Sequence, residues 1–578
     1  MKKLLKYLKP YTKQTVISPL FKLLEAVFDL LVPIVIKLII DRGILAENPG
    51  FVGQMCALLG VFAIVGLGCA IVAQYFAARA AVGFATDLRR DLFAHIQRLS
   101  YSETDAVGNA TLITRMTADV NQVQAGINFT LRLLLRSPII VFGAMTMAIL
   151  VEPNVALIFI GVIAVLSIIV FSIMLKSIPL YKRVQGNLDR VTALTRENLN
   201  GVRVLRAFCK EEDEIARFEA ANSEHNRVQN LVGRFSALMN PLTMAVVNGG
   251  VILLLLSGGR LVTVGEMTQG DVVAVTNYMA QILVELVKMA TTIFTVNKAL
   301  ASADRIERVF ELPVGMPSLP RSEERVGKDD SAVRFDGVSL TYRGNAEKTL
   351  SGIDLSVPKG ATVGLIGSTG SGKSSLINLI PRFYDASEGA VYVDGCDVRS
   401  YATDELRRKI AVVPQKAVLF SGTVRSNLLW GNPDADDEAL WLALERAQAK
   451  DFVSRLDLGL DAPVAAGGKN FSGGQRQRLT VARALVRGAE ILILDDSSSA
   501  LDYATDAALR ASLRSLPEHP TVFLISQRTS SVRHADMILV LEDGEAVGLG
   551  THEELLENCP VYREIHDSQF KREEGSHV

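Results

Sequence analysis

Between residues 15 and 296 the sequence returns six times to an apolar run of membrane-spanning length, at 15–40, 54–78, 131–151, 155–177, 240–262 and 272–296. In hydrocarbon no water satisfies a backbone amide, so a run of roughly 20 such residues folds as a helix. A mean hydropathy of +0.26 over 578 residues agrees that part of the chain sits in lipid. The gaps after the first, third and fifth runs are short. Those after the second and fourth are long and basic, with Arg79, Arg89, Arg90, Arg98 and Arg115, then Lys182, Arg183, Arg190, Arg196, Arg203, Arg206 and Lys210. Basic residues collect on the cytoplasmic side, which puts the long gaps and both termini there. Helical spacing persists through 85–96 and 199–208, so the membrane helices are expected to run on into the cytoplasm, turn and return. Residues 1–11, with Lys2, Lys3, Lys6 and Lys9 among leucines and Pro10 ending the segment, read as an interfacial helix and not as a cleavable signal.

Charged residues fall inside these runs. Glu25 and Asp29 lie one turn apart in the first, and Glu285 and Lys288 share a face in the last. Such groups face a cavity or each other, so they read either as a polar translocation path or as pairing that aids packing. Pro33, Pro138 and Pro241 suggest kinks. The net charge of −1 argues against a nucleic-acid partner held by bulk charge. Cys56, Cys69, Cys209, Cys396 and Cys559 are scattered and odd in number, which reads as isolated thiols and neither a disulfide frame nor a zinc site.

Residues 311–332 are rich in proline and charge without periodicity and read as a linker between a membrane domain, 1–310, and a soluble domain, 333–578. In the latter, short apolar strands alternate with helical stretches, the pattern of a mainly parallel α/β sheet. One of them, 362–366, runs into Gly367, Ser368, Thr369, Gly370, Ser371, Gly372, Lys373 and Ser374, followed by Ser375 and a helix. This is G-x-x-x-x-G-K-[ST], a turn that aims backbone N–H groups and a helix dipole at phosphate. Lys373 would reach the β- and γ-phosphates, and Ser374 would ligate Mg²⁺. Residues 491–494 form a strand ending in Asp495, a second Mg²⁺ ligand, and Asp496 follows. Ser472, Gly473, Gly474 and Gln475 stand before another helix, as a second anion site or a plain cap. Tyr342, upstream of the glycine turn, reads as an adenine stack or as a core tyrosine.

With these motifs in this order, the whole chain resembles an ATP-binding-cassette transporter half of the exporter type, with six spans before an α/β phosphate-loop cassette. The resemblance implies ATP and Mg²⁺ as cofactors, with Gln415 as the Q-loop contact to Mg²⁺. It implies a D-loop from Ser499 to Asp502 and coupling helices near 102–106 and 204–211. Three departures stand out. The family's general base is glutamate, whereas this chain has Asp496; Gln527 stands at its switch-histidine position; and Ala465 and Ala466 stand where an acidic residue is common. One methylene less withdraws a carboxylate by ~1.5 Å, and about 1 Å of misplacement costs on the order of 100-fold. An amide at 527 donates a hydrogen bond but carries no proton.

Both catalytic departures lie on the Walker side, with the signature intact. The chain therefore resembles the degenerate-site subunit of a heterodimeric, multidrug-type exporter. Its partner would be a different half-transporter carrying the missing glutamate and histidine. The expected substrate is a hydrophobic or amphipathic drug, lipid or peptide, and the expected location a bacterial cytoplasmic membrane. The rival readings are an exporter-fold siderophore importer, a slow homodimeric exporter and an ATP-gated regulatory membrane protein.

Overall fold

The computed structural model describes residues 3–316, 331–497 and 500–574, without the side chains of 154–156, 174, 290 and 570–574. Most of the expected linker and Ser499 of the expected D-loop lie outside these residues. The chain forms two compact units, residues 1–97 with 110–312, and residues 98–109 with 313–578.

The first unit is helical. Its elements are α1 (Thr12–Leu38), α2 (Pro49–Ile96), α4 (Asn109–Thr114), α5 (Val120–Phe129), α6 (Arg136–Val151), α7 (Pro153–Ala207), α8 (Glu211–Ala237), α9 (Met239–Val264) and α10 (Gln269–Phe310), while α3 (Tyr101–Val107) belongs to the second unit. Among the described residues, five continuous helical stretches are long and apolar enough to cross a membrane. They are Pro49–Ile96, Asn109–Val151, Leu157–Ala207, Glu211–Val264 and Gln269–Phe310. The first expected span is not among them. It is the 27-residue α1, which carries Lys22, Glu25 and Asp29 in mid-helix and packs along α2.

Pro10 does not end the N-terminal segment. A 3₁₀ helix, Leu4–Tyr11, includes it and passes directly into α1. Pro138 and Pro241 lie in the first turns of α6 and α9, each three residues after a turn residue, Leu135 and Leu238, that interrupts the helix, and Pro33 lies inside α1.

Close packing in this unit rests on small residues. A Cβ on Gly126 of α5 would fall 2.1 Å from the Cβ of Ala299 on α10. At the other end of α10, Asp41 accepts from the Gly270 amide at 2.9 Å and the Thr268 hydroxyl at 2.6 Å. Asp271 closes the cap on Thr268 and pairs with Lys37 of α1 at 2.5 Å. The helix N-terminus there is thus held by carboxylates, as its dipole and unpaired amides favour.

The second unit is α/β. Its strands are β1 (Ser331–Leu340), β2 (Leu350–Pro358), β3 (Thr362–Gly367), β4 (Glu388–Val393), β5 (Cys396–Asp397), β6 (Ile410–Val413), β7 (Gly422–Thr423), β8 (Pro463–Val464), β9 (Ile491–Asp495), β10 (Thr521–Ile525), β11 (Met537–Glu542) and β12 (Glu545–Gly550). A six-stranded sheet runs β12-β11-β3-β10-β9-β6, parallel except at β12. An antiparallel sheet runs β2-β1-β4-β5. β3, β9 and β10 are buried on both faces, as their unbroken apolar runs require. Asp394, in the β4–β5 turn, pairs with Lys409 at 2.6 Å and Lys359 at 3.2 Å. Burial alone would raise this carboxyl, but the two lysine hydrogen bonds outweigh it and hold the group below its ordinary value.

Two outcomes follow from these contacts. Gly126→Ala is expected to cost ~1–3 kcal/mol by overpacking, and Ala299→Gly in the same chain to recover most of it in thermal unfolding, since neighbours couple. Because the folded Asp394 pKa is depressed, its contribution is present above the unfolded carboxyl value and lost as pH falls through the folded one. Asp394→Asn is therefore expected to lower stability by about 1 kcal/mol at neutral pH, with the difference vanishing in strong acid.

Candidate functional site

Strand register assembles the site. Ile525 of β10 lies level with Leu365 of β3 and with Asp495 of β9, and Val413 of β6 lies level with Leu494. The chain segments leaving these four parallel strands therefore emerge together, beyond the carboxyl edge of the sheet where α/β folds place ligands. There they line a cavity of about 190 Å³ that includes Thr369, Gly370, Gly372, Lys373, Ser374, Ser375, Gln415, Asp495, Asp496 and Gln527.

The glycine turn is tight enough to exclude side chains. A Cβ on Gly367 would sit 2.0 Å from the Leu541 carbonyl oxygen. Gly372 has φ +93°, and its Cβ would meet Leu350 at 2.6 Å and the Thr349 carbonyl oxygen at 3.0 Å. From Gly372 the chain enters α11 (Lys373–Leu379). The Lys373 ammonium curls back into the loop and donates to the carbonyl oxygens of Gly367 at 2.9 Å and Ser368 at 2.6 Å, and to Ser371 Oγ at 3.1 Å. Burial lowers its pKa, with Asp496 and Asp495 opposing that shift. A buried cation satisfied only by neutral acceptors is a strong attractor for phosphate oxygens.

On the facing side, Ser374 Oγ donates to Asp495 Oδ1 at 3.0 Å. Burial raises the Asp495 carboxyl, and the Ser374 bond offsets it in part. Asp496 sits at φ +44°, its amide donating to the Ile525 carbonyl oxygen at 3.1 Å. Burial raises its carboxyl too, against a hydrogen bond with the Gln415 side chain and the charges of Arg528 and Lys373. Two adjacent carboxylates, Asp495 buried and Asp496 half-buried, with raised pKa values favour a cation between them and the loop. This donor set of hydroxyl, carboxylate and amide oxygen fits a hard ion such as Mg²⁺.

Tyr342 is partly buried, and its hydroxyl donates to Ser375 Oγ at 3.0 Å. Its ring meets Tyr384 edge-on at 5.0 Å. Tyr384 had no signal in the sequence, because the aromatic pair Phe383 and Tyr384 after a helix looks like core. Its hydroxyl donates to Asp105 of α3 at 2.5 Å, and Tyr101 of α3 lies against Phe383 at 4.7 Å. Arg343 pairs with Glu103 of α3 at 2.6 Å. So the 102–106 segment is seated beside Tyr342, whereas 204–211 is the turn joining α7 to α8 within the first unit.

The remaining expected residues do not line this cavity. Ser472 caps the helix Gly473–Val486 in a capping box with Gln475. Ser472 itself is exposed, and a Cβ on Gly474 would lie 3.0 Å from the Ala500 carbonyl oxygen. Asp502 caps the helix Tyr503–Arg514 through the Thr505 amide at 2.8 Å. The sequence left a cap and an anion site open for Ser472, and the capped geometry is compatible with both.

Lys373→Ala is expected to weaken nucleotide binding by on the order of 100-fold, the worth of a charged hydrogen bond or two. A fluorescent ATP analogue titrated against the purified chain measures it, and an unchanged circular dichroism spectrum shows that the fold survives.

Known proteins carry the same two-part organisation. Residues 15–286 match the ABC transporter transmembrane region family, and residues 350–499 match the ABC transporter family. An uncharacterized ABC transporter ATP-binding protein of Mycobacterium tuberculosis is 37% identical over 567 residues, 97% of each chain. An ATP-dependent lipid A-core flippase of Chromohalobacter salexigens is 33% identical over 581 residues, 99% of this chain and 98% of that one. The solved structure of a bacterial Atm1-family ABC exporter with ATP bound superposes with a TM-score of 0.80 at 24% identity, over 98% of this chain and 99% of that one. This chain belongs to the ABC transporter family, as a half transporter with the exporter-type fold whose membrane region is fused to a transport-coupled ATPase domain.

Proposed function

We propose that this chain is one half of a heterodimeric exporter, and that its own nucleotide site hydrolyses ATP slowly or not at all. The observation that carries this reading is Asp496. It stands at the general-base position, one methylene short, in the cavity with Lys373 and Gln415. A base must lie within hydrogen-bond reach of the water it activates. Gln527, beside it in the cavity, has no titratable group to compensate.

In this reading Tyr342, Lys373, Ser374, Asp495 and Asp496 bind ATP, and a partner's signature closes over it. Mg²⁺, held by Ser374, Asp495 and Gln415, would neutralise charge on the phosphates. Ser472, Gly473 and Gly474 in turn close the partner's site, where a glutamate and a histidine hydrolyse. Ser472 is exposed at a helix N-terminus, which suits a role in another subunit's site. Val204 and Phe208, at the second expected coupling turn, are 60% and 72% exposed, as a surface that docks on a partner would be.

Residues 1–310 form the membrane domain with six crossings and both termini in the cytoplasm, 311–332 the linker and 333–578 the cassette. ATP binding draws the cassettes together, and the membrane cavity turns from inward- to outward-facing as far as ATP prefers the closed state. The flippase among the relatives favours a lipid-like amphiphile as cargo.

Native mass spectrometry of the complex, purified through a tag on this chain, tests the pairing. One 62.8 kDa copy with a different cassette protein is expected; two copies sink the proposal. In vesicle uptake, Ser472→Ala is expected to reduce transport by about 100-fold, as loss of a transition-state donor does. Asp496→Asn should change it by about threefold or less, since a displaced base contributes little. The reverse ranking would exchange the roles of the two sites.

A further inference from the structure

Within the helical unit, α1, α6 and α10 line a second, open cavity of about 370 Å³. Its polar wall is a chain of ion pairs centred on Arg136. That guanidinium donates to Glu285 at 2.6 Å and to Asp29 at 2.7 Å, and lies 3.7 Å from Glu25. Glu25 is also held by Lys22 at 2.6 Å. Glu285 is also held by Lys288 at 3.0 Å and by the Ser137 hydroxyl at 2.7 Å. Three cations and three anions sum to zero.

The six charges are not equally used. Lys22, Glu25, Arg136 and Glu285 have side chains 13%, 14%, 11% and 5% exposed, locked among themselves. Asp29 and Lys288 are 46% and 45% exposed, of opposite sign, and both line the cavity. Each makes one of the cluster's ion pairs and keeps capacity for more. Among the described residues, two polar atoms of cavity residues are buried without a partner, Arg136 Nε and Gln281 Oε1. The apolar lining, with Val32, Ile36 and Val284, runs along the same helix faces as Asp29 and Lys288, one or two turns away.

We propose that this cavity is a substrate site for a zwitterionic amphiphile, whose primary ammonium meets Asp29, whose phosphate meets Lys288, and whose apolar body lies along Val32, Ile36 and Val284. A neutral cluster in a low-dielectric membrane interior disfavours any ligand that leaves net charge behind. A ligand with both charges leaves none. Mere packing would need neither the cavity nor two half-exposed charges of opposite sign. This inference rests on the reading of the chain as a transporter.

Three fluorescent single-chain probes of equal tail length test it: lysophosphatidylethanolamine, the anionic lysophosphatidylglycerol and a cationic alkylamine. Each is titrated by anisotropy against the full transporter, this chain with its native partner, in uncharged detergent. The zwitterion is expected to bind tightest. Asp29→Asn should shift preference towards the anionic probe and Lys288→Gln towards the cationic one. Each shift should be about tenfold or more, the size of one charged hydrogen bond. Equal weakening of all three probes in both variants, or no preference in the parent, overturns the site. Should Asp29→Asn unfold, Lys288→Gln and the charge-retaining Asp29→Glu carry the test, the latter expected to keep the parent's order. ATP-dependent vesicle uptake of the same probes is read separately. Selective binding without uptake defeats the transport reading and leaves the site, whereas uptake without charge preference defeats the site alone.

Discussion

A charge taken out of water must find a partner, and both units of this chain are arranged around charges that have been taken out of water. In the α/β unit the charges are Lys373 at one side of the cavity and Asp495 and Asp496 at the other. Burial pushes each of the three toward its neutral form. Lys373 meets that demand with the carbonyl oxygens of its own loop, and Asp495 with the Ser374 hydroxyl. These are bonds that phosphate and a divalent cation can replace with stronger ones. In the helical unit, Arg136 gathers three carboxylates from two other helices.

The glycines serve the same end. Gly367 and Gly372 stand where a Cβ would strike the backbone of β11 or the residues before β2. With side chains there, the loop would be pushed outward and the Lys373 bonds to its carbonyl oxygens would be lost. The parallel register of β3, β10, β9 and β6 then brings Gln415 and Asp496 to the same cavity, although 81 positions separate them in the chain (496 − 415).

Much was legible beforehand because it is local. The glycine turn between a strand and a helix, the strand ending in Asp495, and the capping serine before Gly473 are each a few residues long. Glycine and lysine in that order have few other uses, so local pattern carried the nucleotide site. Long apolar runs likewise marked the helices that meet the criteria for crossing a membrane. The first run was the harder one. Its charges make sense only once Arg136 and Glu285 stand beside them.

From sequence alone came the family resemblance, the α-helical membrane region followed by an α/β cassette, and the chemistry of the phosphate loop. Each follows from backbone hydrogen bonding or from residue types within one short segment. Tertiary structure decided which distant residues meet. It seated Tyr101, Glu103 and Asp105 beside Tyr384 and Arg343. It joined Asp29 to Glu285 through an arginine that periodicity did not single out. It left Asp29 and Lys288 facing a cavity while their neighbours were buried. The physical reason is that desolvation and pairing depend on what lies within a few ångströms in space, and a linear sequence records only what lies adjacent along the chain.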